Sequence, residues 1–161
     1  MKDYLEQIIK FILEHNPYYS GGYMARPSEL REVFPDDTKG DHFIMILEDD
    51  MRISSRVSAR VDMCASPAIV ESSTRIVAMM RNADHFAMAE NLINTLQALG
   101  MTISSLTIDE EAIIDKLIKD KNERDAAKAR VGDYSIVSVN FNASYIIPPK
   151  QLSCITSPCS C

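Results

Sequence analysis

At 161 residues, with 46% hydrophobic and 25% charged side chains, the chain has the make-up of a globular protein of one domain. A formal net charge of -6 and a pI near 5.0 argue against general nucleic-acid binding, which rests on a basic face. They equally disfavour adhesion to an anionic membrane, and apolar runs such as Phe43 to Leu47 fall far short of the ~20 residues of a membrane span.

The charge is unevenly placed. Eleven acids face five bases in the first fifty residues, whereas residues 51–100 carry four acids and five bases, and residues 101–161 eight and seven. The excess is densest at Glu29, Glu32, Asp36, Asp37, Asp41, Glu48, Asp49 and Asp50, offset there only by Arg31 and Lys39. Segregated charge of this kind orients partners and speaks to association, not to fold.

In chain order, Leu5, Ile8, Ile9 and Ile12 recur at helical spacing and predict a helix over residues 4–14, stopped at Asn16-Pro17. The opening Met1-Lys2-Asp3-Tyr4-Leu5-Glu6 places acids where an export signal needs an apolar segment, so a cytoplasmic protein is expected. Tyr18 to Tyr23, with paired Gly21 and Gly22, reads as a loop. Pro27 opens one or two helical turns over Glu29 to Phe34, ended by Pro35. Residues 42–64 alternate like a strand, yet Ile53, Val57 and Val61 also recur every four residues. The unbroken stretch from a potential Asp41 cap favours a long helix.

Ser66-Pro67 reads as a helix start, followed by a stripe of Ile69, Val70, Ile76, Val77 and Met80. A second stripe runs through Phe86, Ala89, Ile93, Leu96 and Leu99 to Gly100, with a bend near Asn82 to Asp84. Met101 to Ile108 is a short strand candidate. Asp109-Glu110-Glu111 open a helix whose buried side is Ile113, Ile114, Leu117 and Ile118, continued by the polar run Lys119 to Arg130. Beyond Gly132, Tyr134 to Phe141 and Tyr145 to Ile147 read as a hairpin turning at Asn142-Ala143. The expected architecture is α+β: a mainly helical single domain over residues 1–150 with a C-terminal antiparallel β-hairpin. A cysteine-containing tail, residues 151–161, follows it.

Few residues carry a named chemistry. His15, His42 and His85 fall at helix ends without metal-binding spacing, and surface or capping roles account for them. Gly21-Gly22 lacks the lysine and hydroxyl of a nucleotide loop. The tail Cys154, Cys159 and Cys161, with Cys64 alone upstream, suits neither a disulfide framework nor a four-ligand metal site. Asp36 to Asp41 has lysine where a calcium loop needs oxygen. Arg52, Arg56 and Arg60 align under either secondary structure and fit an anion clamp, or pairing with the neighbouring acids, which is the blander and favoured account. No cofactor and no metal are expected.

The acids remain. Beside them stand Tyr18, Tyr19 and Tyr23, a residue type that supplies contact area at low entropic cost. Charge logic therefore predicts a non-enzymatic binding protein whose contact residues are these tyrosines with Glu29, Glu32, Asp36, Asp37, Asp41, Glu48, Asp49 and Asp50. The partner is a basic protein, not nucleic acid or membrane, and a homodimer is compatible. The sharpest form is an immunity protein that neutralises a nuclease-type bacterial toxin. A small acidic regulator or secretion chaperone is one alternative. A small enzyme using Cys64, His85 and the arginine row is the other. Replacing Asp36, Asp37 and Asp41 by asparagine is expected to slow association and weaken its salt dependence.

Overall fold

A computed structural model describes residues 2–26, 40–54, 68–132 and 134–147. Its elements are α1 (Lys2–His15), β1 (Gly21–Ala25), β2 (His42–Ser54), β3 (Ala68–Arg81), α2 (His85–Ala98), β4 (Thr102–Thr107), α3 (Glu110–Leu117), α4 (Lys121–Val131) and β5 (Tyr134–Ile147). Among the described residues the strands form one five-stranded sheet of order β1-β2-β3-β5-β4. β1 runs parallel to β2, and every other neighbouring pair is antiparallel.

Alternation along the strands sorts the side chains into two cores. Phe43 and Met45 on β2, Ile76 and Ala78 on β3, and Val137, Val139, Phe141 and Ala143 on β5 share one face. Helix α1 covers it with Leu5, Ile8 and Ile12, and α2 with Met88, Ala89, Leu92 and Leu96. The intervening residues Ile44, Ile46, Val77, Met79 and Ile136 face the other way. They meet Ile113, Ile114 and Leu117 of α3, and Ala127 and Val131 of α4. The result is a helix–sheet–helix sandwich, with the period of 2 in the strands matched to the 3.6 of the helices. Burying side chains such as Phe43 and Phe141 completely stabilises the fold by about 2 kcal/mol each.

Aspartates start three of the helices. Asp84 accepts the Phe86 amide at 2.9 Å, Asp109 the Glu111 and Ala112 amides at 3.0 and 3.2 Å, and Asp120 the Glu123 amide at 3.0 Å. Each carboxylate satisfies amides that the first helical turn leaves open. Lys128 of α4 reaches Asp115 and Glu111 of α3 at 3.2 and 3.4 Å, and the hydrogen bond to Asp115 is the main reason its pKa is raised.

The mainly helical domain with a terminal hairpin is corrected by this sheet. The expected long helix from residue 42 is β2, at least to Ser54. The expected helix after Ser66-Pro67 is the fourteen-residue strand β3. β3 is central and buried on both faces at its apolar end, so Ile76 to Met79 read as a continuous apolar run from which no period can be taken. The expected turn at Asn142-Ala143 is absent: β5 is one strand, paired with β3 along its whole length, Asn142 opposite Ser73 and Ala143 opposite Ser72. A full ladder of backbone hydrogen bonds outweighs the local turn preference of asparagine. Gly21 and Gly22 open β1 rather than a loop, and Lys119 to Arg130 is no mere continuation. Asp120 starts a separate helix that buries Ala127 and Val131. The helix over the first segment, the strand at 102–107 and the helices capped by Asp84 and Asp109 stand as expected. The expected helical turns after Pro27, Cys64 and the cysteine tail lie outside the described residues.

Candidate functional site

The tyrosine loop begins where α1 ends. Asn16, only 2% exposed, donates through its side chain to the Ile12 carbonyl at 2.9 Å and to Thr95 Oγ1 of α2 at 3.1 Å. Its own Oδ1 accepts the Tyr18 hydroxyl at 2.6 Å. One buried amide thus joins α1, α2 and the loop, as a fully satisfied polar group can at low cost. Sequence reading passed over Asn16, since an asparagine before proline signals only a turn.

The three tyrosines have different surroundings. Tyr18 is exposed, with its ring tilted against Tyr19 at a centroid distance of 4.8 Å. Burial holds its pKa above the ordinary 10.0, opposed by a hydrogen bond with Asn91. Tyr19 is a core residue, set edge-on against Phe43 at 5.3 Å. Its hydroxyl has no hydrogen-bond partner among the described residues, and burial, reinforced by Tyr18 and Asp41, pushes its pKa far above the usual value. Tyr23 lies half-buried on β1, edge-on to His42 at 5.9 Å.

Asp41 is engaged in the fold. Its Oδ1 accepts the Arg81 amide at 2.9 Å, and its carbonyl accepts both the amide and the hydroxyl of Ser20, at 2.6 and 2.7 Å. Gly40 turns the chain into this junction with a φ of +63°, a conformation that glycine adopts without strain. The buried ring of His42 follows, and its Nδ1 donates to the Gly40 carbonyl at 2.7 Å.

Glu48, Asp49 and Asp50 occupy an irregularity of β2. Leu47 pairs with Thr74 and Met51 with Ser72, so three residues of β2 stand against the single Ser73 of β3. A bulge of this kind bends the strand and interrupts its ladder. β1 pairs only with His42 to Ile46, so beyond Ile46 the outer edge of β2 carries no strand among the described residues. Three consecutive acids therefore sit in a bulge of β2 where no outer strand pairs with it among the described residues, within about 10 Å of extended chain.

Of the eleven contact residues expected from the sequence, the structure gathers Tyr18 and Tyr19 with Asp41 near the start of β2, places Tyr23 on β1 beside His42, and sets Glu48 to Asp50 further along β2. Glu29, Glu32, Asp36 and Asp37 lie outside the described residues. Arg52 pairs in register with Glu71 of β3; Arg56 and Arg60 lie outside the described residues. His85 meets Glu110 at 2.8 Å, and His15 stacks on Phe11 at 3.9 Å.

Two shallow cavities accompany these elements. One, of about 310 Å³, lies between α1 and α2 beside Phe11, His15, Tyr18 and Asn91. The other, of about 250 Å³, lies at the start of β4 beside Tyr4, Glu71 and Asn142. Among the described residues no cluster of three or more histidine, cysteine or acidic side chains is placed to hold a metal ion. No helix among them is long and apolar enough to cross a membrane. No protein-family model and no curated protein sequence matches the chain.

Proposed function

We propose that the chain is a non-enzymatic binding protein that docks a basic protein through its acidic N-terminal third. The observation that supports this most is the placement of Glu48, Asp49 and Asp50 in a bulge of β2, beyond the reach of β1 and with no other outer strand among the described residues. A regular edge invites pairing with any extended chain; three like charges in a row at that point discourage such pairing. The same run of like charge favours recognition by charge, since clustered carboxylates raise the encounter rate with a cationic surface. Tyr18, exposed and held by Asn16, is a pre-ordered aromatic contact in the same third of the chain.

In its sharpest form this is a cytoplasmic immunity protein that covers the nucleic-acid groove of a nuclease-type toxin. The structure moves the test away from Asp41, whose carboxylate holds β2 to β3, and onto the bulge. The triple variant Glu48→Gln, Asp49→Asn, Asp50→Asn is expected to associate about tenfold more slowly with the partner at low salt, with a flatter dependence on ionic strength. An unchanged rate and salt slope would remove the bulge from the interface.

A further inference from the structure

The opposite edge of the sheet is built differently. β4 is the terminal strand, and its outer edge pairs with no strand among the described residues. Its six residues, Thr102-Ile103-Ser104-Ser105-Leu106-Thr107, carry no charge. They read almost the same in both directions: threonine at each end, a branched aliphatic residue next, two serines at the centre.

A register shift makes this symmetry structural. Ile103 pairs with Phe141, but Ser105 pairs with Asn140, leaving Ser104 as the extra residue. Without that insertion Ile103 and Leu106 would fall on opposite faces. With it, Ile103 follows Phe141, and Leu106 follows Val139, onto the face that α2 covers. Thr102 and Thr107 go together to the other face, opposite Asn142 and Ser138.

The neighbouring helix supplies apolar surface on the same side. Asn91, Asn94, Thr95 and Ala98 of α2 line the groove against α1. Phe86 and Ile93, seven residues apart, lie on the flank away from that groove, toward β4. Phe86 is 70% exposed and Leu106 43%, two of the three large hydrophobic side chains exposed among the described residues. An edge strand without charge leaves a row of backbone groups ready to pair with another strand, and the exposed apolar side chains beside it add surface to cover.

We propose that the outer edge of β4 is a self-association surface. A second copy of the chain pairs its own β4 antiparallel, about a two-fold axis between Ser104 and Ser105. That register sets Ile103 opposite the partner's Leu106 and Thr102 opposite the partner's Thr107, with both apolar pairs on the α2 side. An isologous interface requires such self-complementarity, whereas a strand from an unrelated protein would not. The charge distribution agrees. The acid-rich first fifty residues contribute β1 and the start of β2, at the far end of the sheet order, so joining at β4 keeps them at the two ends of a ten-stranded sheet.

The test is sedimentation equilibrium of the full chain over a wide concentration range, with hydrogen exchange of the β4 amides read at low and high concentration. This surface is independent of the acidic edge, so the Glu48-to-Asp50 variant serves as a control with the same expected dimerisation. The wild type is expected to reach twice the mass of one chain, and exchange at Thr102 to Thr107 to slow as it does so. Leu106→Lys and Phe86→Ser, both at exposed positions, are expected to raise the half-dissociation concentration about tenfold or more, each change acting twice in a symmetric interface. A chain that stays monomeric up to about 1 mM would overturn the proposal and make the Ser104 bulge a device that merely blunts the edge. So would a dimer whose β4 amides exchange at a rate independent of concentration. The exchange reading on the wild type decides the matter even if a variant folds poorly.

Discussion

The carboxylate of Asp41 accepts the backbone amide of Arg81 at 2.9 Å, fastening the first turn into β2 to the last residue of β3. The same aspartate holds Ser20 through its carbonyl, so one residue gathers the entry to β1, the start of β2 and the end of β3. Asp41→Ala is expected to lower stability by about 1 kcal/mol, less than is usual for a charged acceptor because the bond lies at the surface. In a chain of this length that corresponds to roughly 2–4 °C in Tm, measurable by calorimetry.

Tyr19 hides a hydroxyl without a partner among the described residues. Tyr19→Phe removes a group whose burial is costly and leaves the ring against Phe43, so stability should hold or rise by about 1 kcal/mol. The pH dependence follows from the raised pKa. The neutral phenol is favoured in the folded state, so its contribution is fully present below pH 10.0 and is lost as pH rises from there toward the folded value. Tyr4 and Tyr18, also raised by burial, act in the same window. Denaturant titrations are expected to show stability falling above about pH 10, by at most about 1.4 kcal/mol per pH unit for each tyrosine, and less steeply in Tyr19→Phe.

Gly22 sits where α1 packs against β1. A Cβ there would collide with the Phe43 ring and come within 2.8 Å of Ile9 Cγ2. Gly22→Ala is therefore expected to cost about 1–3 kcal/mol through overpacking, read as a lower denaturant midpoint at unchanged slope. An undiminished midpoint would mean that α1 can lift from β1 without penalty.

Three of the four described helices were legible in the sequence because each combines a periodic apolar stripe with a stop or an acidic start: Leu5, Ile8 and Ile12 before Asn16-Pro17, and Asp84 and Asp109 ahead of α2 and α3; α4, largely polar, was taken for a continuation of α3. The sheet was not. Its central strand β3 is apolar on both faces near Ile76 to Met79 and polar on both near Glu71 to Ser73, so neither half alternates cleanly. Its pairing with β2 on one side and with β5, more than fifty residues away, on the other makes it a strand, and no local window contains that information. The charge asymmetry was legible at once. Its consequence at Glu48 to Asp50 depends on a bulge, which registers only when the partner strand is known. The near-palindrome of β4 could be read from the residues, but the Ser104 insertion that aligns Ile103 with Leu106 could not.

Docking through the acidic edge is tested most directly by parallel affinity capture from a lysate of the source cells. The wild type and the Glu48→Gln, Asp49→Asn, Asp50→Asn variant are immobilised side by side and eluted with a salt gradient. An acidic docking edge predicts one basic protein on the wild-type column, released at moderate to high salt and leaving the variant column markedly earlier. Elution of the same protein at the same salt from both columns, or a retained protein without a basic surface, would contradict it.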